Sequence, residues 1–299
     1  MVHTHSPSKD ITVLFVFLAC LAMAPLGKTA DMLQIDNAQI FYETAGQGAP
    51  ILFIHAGVAD SRQWNNEFQT FKENHRVIRY DMRGFGRSDP AEGEFSHLED
   101  LTKLLEHLNI AEPIILVGCS MGGSTALNYA LTNPKRVKAL VLVDSAPSGL
   151  DVDVPIPPKF QLAEEAAERG DLELVSEIET QIWFDGDRPT ERVDQTMRQL
   201  AYEMNLIALT NSAKGLGAQQ PNTKTPSVKR LAELQVPTLA IVGENDIPYM
   251  HAAVDVMSTK VADFRQVIIE NAGHLPNMDQ PKKFEEILRA FIQETTNRR

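Results

Sequence analysis

A serine sits in the run Gly118-Cys119-Ser120-Met121-Gly122-Gly123. G-x-S-x-G between a buried strand and a helix is a nucleophile elbow, a sharp turn that lifts the hydroxyl clear of the strand end. The flanking glycines lack Cβ atoms, so strand and helix can approach without collision, and the helix start favours negative charge. A serine hydroxyl becomes a useful nucleophile only when a base takes its proton. Among eight histidines, His274 in Asn271-Ala272-Gly273-His274-Leu275-Pro276 is the candidate base, because a loop just past the last strand can bring an imidazole over Ser120. His97 and His107 read as partly exposed residues of a Leu-rich helix, His75 as a loop residue and His251 as part of a helix start. The base needs a carboxylate on its other ring nitrogen. Asp246 in Gly243-Glu244-Asn245-Asp246 and Asp144 after Val137–Val143 both follow apolar runs. Asp246 is favoured, which gives the chain order Ser, Asp, His expected of such a site, and Asp144 is the rival, since an acid at that strand end can also reach the histidine. Attack on an acyl carbonyl creates an oxyanion that needs preorganised N–H donors. Met121 supplies one, and the loop His55-Ala56-Gly57-Val58 the other, at Gly57 first and Val58 next. Cys119 reads as a small buried apolar residue.

These groups require strands ending at one edge and helices following them. Pro50–His55, Pro113–Gly118, Val137–Val143 and Pro237–Val242 are continuous apolar runs, as strands buried on both faces demand. Arg76–Asp81 and Arg265–Glu270 read as further strands, and Met32–Asp36 with Gln39–Thr44 as a hairpin turning at Asn37-Ala38. Leu98, Leu101, Leu104, Leu105 and Leu108 recur at helical spacing. Arg62–Lys72, Met121–Thr132 and Phe284–Gln293 are the other core helices. The alternation predicts an α/β fold, a mostly parallel sheet flanked by helices. Residues 31–144 and 230–299 form this core. Residues 145–229 break the rhythm with a Pro-rich linker and helix patterns over Phe160–Arg169, Leu172–Trp183 and Arg192–Leu209. They read as a helical cap. Trp183, Phe184, Met204, Leu206, Ile207, Phe160 and Trp64 are candidates for the wall of its pocket.

The formal net charge of −12 disfavours phosphate backbones, so nucleic acid is excluded as a partner. Two cysteines exclude a disulfide framework. No H-E-x-x-H, paired C-x-x-C or G-x-G-x-x-G run points to a metal or phosphate cofactor. Ile11–Ala24 is an apolar run of about fourteen residues, short for a span of about 20 and suited to a signal peptide over residues 1–30. Export to a periplasm or medium is expected, with anchoring in a membrane as the alternative if the segment stays uncleaved.

Together His55-Ala56-Gly57, Asp81-Met82-Arg83-Gly84-Phe85-Gly86-Arg87-Ser88, the Ser120 elbow, Gly243–Asp246 and Gly273-His274-Leu275-Pro276 resemble the α/β-hydrolase fold. The group resembled holds esterases, enol-lactonases, carbon–carbon hydrolases and cofactor-free haloperoxidases, over roughly residues 32–296. Ala56 departs from the His-Gly usual in that loop, and serine at 120 departs from the aspartate of related haloalkane dehalogenases. The resemblance implies a serine hydrolase of a small-molecule ester or related acyl bond. Ser120, His274 and Asp246 would form an acyl-enzyme, Gly57 and Met121 would bind the oxyanion, and no metal or organic cofactor is needed. It also implies that Asp81–Ser88 supports the site and that 145–229 is a cap. A carbon–carbon hydrolase, a haloperoxidase and a hydrolase-like ligand-binding receptor remain the alternatives.

Overall fold

The computed structural model describes residues 29–186, 188–215 and 217–297. The apolar run Ile11–Ala24, and with it most of the expected signal peptide, lies outside the described residues, whereas Thr29 and Ala30 already belong to the first strand.

In chain order, β1 (Thr29–Ile35) and β2 (Ala38–Ala45) lead into β3 (Pro50–Ile54), α1 (Asn65–Phe71) and β4 (Arg76–Tyr80). Next come β5 (Gly93–Phe95), α2 (His97–His107), β6 (Ile114–Cys119), α3 (Met121–Thr132) and β7 (Val137–Val143). Then follow α4 (Lys159–Glu168), α5 (Leu172–Thr180), α6 (Gln195–Ser212) and β8 (Gly217–Gln219). The chain closes with β9 (Thr238–Gly243), α7 (Pro248–Lys260), β10 (Phe264–Ile269), α8 (Pro276–Asp279) and α9 (Pro281–Asn297).

Eight strands form one sheet in the order β1-β2-β4-β3-β6-β7-β9-β10. β1 pairs β2 and β2 pairs β4 antiparallel, and the remaining neighbours are parallel. Every residue of β3, β6 and β9 is buried, which explains their unbroken apolar sequences. Alternate side chains feed two layers. Leu52, Ile54, Leu116, Leu140 and Ala240 pack with Leu101 and Leu104 of α2, Ala126 of α3 and Met257 of α7. Ile51, Phe53, Val117, Val141 and Ile241 pack on the other face with Phe68 and Phe71 of α1 and Phe284, Leu288 and Phe291 of α9.

Two local expectations change. The hairpin turns at Asp36-Asn37, with Asp36 at φ 51°, rather than at Asn37-Ala38. β5 and β8 form a separate two-stranded pair of three residues each, too short to show alternation in sequence. Between β7 and β9, Ala163, Ala166, Val175, Ile178 and Ile182 of α4, α5 and the turn after them make their own apolar cluster, against which Phe160, Trp183, Leu209 and Ile247 pack.

Candidate active site

The site is built on backbone contacts at the carboxyl end of the sheet. Ser120 joins β6 to α3 at φ 51° and ψ −115°, a region that a residue with a Cβ occupies only under strain. Its N–H donates to Val143 O at 2.8 Å, and its carbonyl accepts from Ser124 N–H and Ser145 Oγ, each at 2.9 Å. A Cβ on Gly118 would lie 2.5 Å from Gly122 O, and one on Gly122 would lie 2.4 Å from His55 O. The elbow thus rests directly on the backbone at the end of β3, and only glycine permits that approach.

His274 lies in the loop between β10 and α8, almost fully buried. Its Nδ1 hydrogen-bonds Asp246 Oδ2 at 2.7 Å. Asp246 lies just past β9, where its Oδ1 also accepts Ile247 N–H at 2.7 Å. Burial by itself raises the Asp246 carboxyl, but His274 and hydrogen bonds from His274, Asp144 and Ile247 hold it below the usual carboxylate range. Cys119, next to Ser120, reaches the same loop, its Sγ 3.5 Å from His274 O. Burial pushes the Cys119 thiol well up, so it stays un-ionised. No Ser120–His274 side-chain hydrogen bond is formed among the described residues. Catalytic hydrogen bonds often tighten only once substrate is bound.

The loop after β3 is held from below. His55 Nδ1–H donates to Ala56 O at 2.8 Å, and Nε2 accepts Met82 N–H at 2.9 Å. Burial lowers the affinity of this ring for a second proton. Ala56 N–H is spent on Gln63 Oε1 at 2.9 Å, while the N–H groups of Gly57 and Val58 make no hydrogen bond among the described residues. Gly57 faces Met121, whose Cβ lies 3.8 Å from where a Gly57 Cβ would stand. Gln63 Nε2 donates to Asn277 Oδ1, and Asn277 Nδ2 donates to Gln63 O and Glu67 Oε2. Glu67 is buried, and burial raises its carboxyl to about 8. Asp81 accepts Ser61 N–H and Arg87 N–H, each at 2.8 Å, so the Asp81–Ser88 segment braces the same loop.

A π-helical turn, Gln181–Asp185, covers the histidine loop. Trp183 O accepts His274 N–H at 2.8 Å, and the indole lies 4.5 Å from the imidazole, centroid to centroid. Arg188 pairs with Asp279 at 2.6 Å, and Asp279 accepts Gly273 N–H at 3.0 Å. Phe160 meets Trp183 edge-on. Trp64 and Met204 are core residues instead of pocket wall, each at 0% exposure, whereas Phe184, though buried, lines a small cavity with Trp183, Val58 and Leu275. Beside Met121 opens a cavity of about 250 Å³, lined among others by Phe85, Phe95, His97, Ala208 and Asn211. His97 is buried rather than partly exposed, because Phe85 and Phe95 pack on its ring, and burial pushes its pKa down to about 3. Only a tertiary contact reveals this; helical spacing does not.

Asp144 is fully buried, with Oδ1 3.0 Å from Gly243 N–H. It forms with Asp246 and His274 a cluster whose ligating atoms all lie within 4.8 Å of one another. Within it His274 is already hydrogen-bonded to Asp246, Asp246 to Ile247 N–H and Asp144 to Gly243 N–H.

An open, mostly parallel sheet with a serine elbow at its carboxyl edge and a buried His–Asp pair beside it defines the α/β hydrolase class. A family profile described as alpha/beta hydrolase fold matches residues 49–281, and the chain belongs to that family. The 2-hydroxy-6-oxononadienedioate/2-hydroxy-6-oxononatrienedioate hydrolase of Paraburkholderia xenovorans is 29% identical over 273 residues, 86% of this chain and 91% of that protein. The 3-oxoadipate enol-lactonase 1 of Acinetobacter baylyi is 29% identical over 252 residues, 83% of this chain and 90% of that protein. A thermophilic esterase from Thermogutta terrifontis superposes with a TM-score of 0.70 at 24% identity, covering 90% of this chain and 99% of that one. The chain is an enzyme of the hydrolase type.

Proposed function

We propose that this hydrolase cleaves carboxylic esters of small molecules through Ser120, His274 and Asp246. The observation that carries the reading is the 2.7 Å His274–Asp246 bond beside a serine held at φ 51°. Ser120 Oγ attacks the ester carbonyl while His274 Nε2 takes its proton. Asp246 fixes Nδ1 as the protonated nitrogen and stabilises the imidazolium. The N–H groups of Gly57 and Met121 receive the oxyanion, each such donor being worth about 10²–10³ in rate. His274 then returns the proton to the leaving alcohol, whose departure leaves an acyl-enzyme. Water, activated by the same imidazole, releases the acid.

Residues 145–229 serve as the cap over this edge, and the cavity beside Met121 receives a compact part of the substrate. The lactone in the name of the Acinetobacter relative supports ester chemistry. The Paraburkholderia relative, matched over 273 residues, favours a second reading, hydrolysis of an oxo-dienedioate on the same residues. Residues 1–30 direct export, which the mass of the mature N-terminus checks.

The test is hydrolysis of a panel of p-nitrophenyl esters, lactones and oxo-dienoates by wild type and Ser120→Ala. Turnover of short esters, lost by at least about 10⁴-fold in the variant, supports the proposal. A folded Ser120→Ala that keeps wild-type rates, or a folded wild type whose Ser120 escapes labelling by a phosphonate, overturns it.

A further inference from the structure

Two acids lie within 4.8 Å of the same histidine, and their arrangement assigns different work to each. Asp144 follows β7 at φ 42°, another non-glycine residue in the left-handed region. Its N–H donates to Ile241 O at 2.8 Å, and its carboxyl turns toward β9, where Gly243 N–H donates to Oδ1 at 3.0 Å and approaches Oδ2 at 3.3 Å. The Asp144 and Asp246 carboxyl groups and the His274 ring each offer an atom within 4.8 Å of the others. The two acids are 0% and 8% exposed. The titratable groups facing the pair among the described residues are His274 and the Cys119 thiol, and no lysine or arginine offsets their charge. Two buried carboxylates this close, without a cation between them, do not both ionise readily, and one shared proton lets one donate to the other. Asp246 has His274 Nδ1 and Ile247 N–H to favour its anion, whereas among the described residues Asp144 has Gly243 N–H alone.

We propose that Asp144 is a positioning residue that keeps its proton and donates it to Asp246. The histidine-orienting carboxylate is then held by the Asp144 acid proton, the Ile247 N–H and the His274 Nδ1–H. Burial and the neighbouring Asp246 charge both drive Asp144 well above the ordinary carboxyl range, in the direction this role requires. The arrangement rests on the Ser120–His274–Asp246 reading. It adds that the orienting carboxylate is itself aimed, and its charge partly dispersed, by a neutral acid.

The experiment compares Asp144→Asn, Asp144→Ala, Asp246→Asn and Ser120→Ala by kcat, KM and the pH profile of kcat/KM on a p-nitrophenyl ester. Asparagine can donate to Asp246 and accept Gly243 N–H as the protonated acid does. Asp144→Asn therefore keeps kcat/KM within about threefold, with the acid limb unmoved, since one neutral donor replaces another. Asp144→Ala loses about 10–100-fold in kcat, the worth of one hydrogen bond to a charged group, with KM little changed. Its acid limb moves to higher pH, because the undispersed Asp246 charge binds the imidazolium more tightly. An acid limb displaced downward by about one pH unit or more in Asp144→Asn overturns the proposal, since that marks removal of a negative charge. So does an Asp144→Asn as impaired as Asp246→Asn, or a folded Asp144→Ala indistinguishable from wild type. Should Asp144→Ala fail to fold, the Asp144→Asn profile alone decides. Full activity in Ser120→Ala would instead refute the underlying reading, so the two failures are separable.

Discussion

Glu67 is a carboxyl placed where a charge is expensive. It is 1% exposed, its Oε2 accepts from Asn277, and its Oε1 has no partner among the described residues. Burial raises its pKa from 4.5 to about 8. Such a shift is worth roughly 5 kcal/mol at 1.36 kcal/mol per tenfold change in proton affinity. Below pH 4.5 both folded and unfolded chains hold the proton. Between there and about 8 the folded protein keeps a proton that the unfolded chain has released, so stability falls as pH rises through that window. Glu67→Gln has nearly the same shape, accepts from Asn277 as before, and never ionises. Its melting temperature should match wild type at pH 4.5, lead by about 10 °C at pH 8.5, and gain no further above that, taking about 2–4 °C per kcal/mol for a domain this size. Differential scanning fluorimetry in buffers of matched ionic strength measures the gap. A gap independent of pH, or a variant less stable than wild type throughout, would falsify the reasoning, because Glu67 would then be ionised in the folded protein.

Gly122→Ala should lower the melting temperature by about 6–12 °C, since a Cβ 2.4 Å from His55 O forces overpacking worth about 3 kcal/mol. The same shift of the loop after β3 should cost about 10²-fold in kcat; wild-type activity in a folded variant would contradict the backbone contact. Ala208→Phe intrudes on the cavity beside Met121. It should lower kcat/KM for a benzoyl relative to an acetyl ester by at least about tenfold, and equal losses for both esters would separate that cavity from the substrate.

Much of this was legible in residue order. Continuous apolar runs such as Ile114–Val117 and Ala139–Val143 have no polar face to turn to water, so they fit strands covered on both sides of a sheet, and they became strands. Ser120 was legible because a strand–turn–helix with glycines at 118 and 122 has few alternative geometries. Asp246 was favoured over Asp144, yet both follow strands and both fit the order Ser, Asp, His; what separates them is which one His274 and Ile247 contact. Glu67 looks like a surface residue of a polar helix, and its burial depends on Asn277, 210 residues away. His97 and the β5–β8 pair escaped for the same reason, being settled by tertiary neighbours.

The turn at Gln181–Asp185 sets a limit on modularity. Ser120 and the loop after β3 owe their positions to backbone contacts within the core, so exchanging the helices between β7 and β9 for those of another enzyme would leave nucleophile and oxyanion donors where they are. The base would not be spared, because Trp183 accepts its N–H and Arg188 grips Asp279 beneath its loop. A chimera that keeps residues 181–188 with the recipient core, and grafts only what flanks them, is the version in which new selectivity and an intact base can coexist.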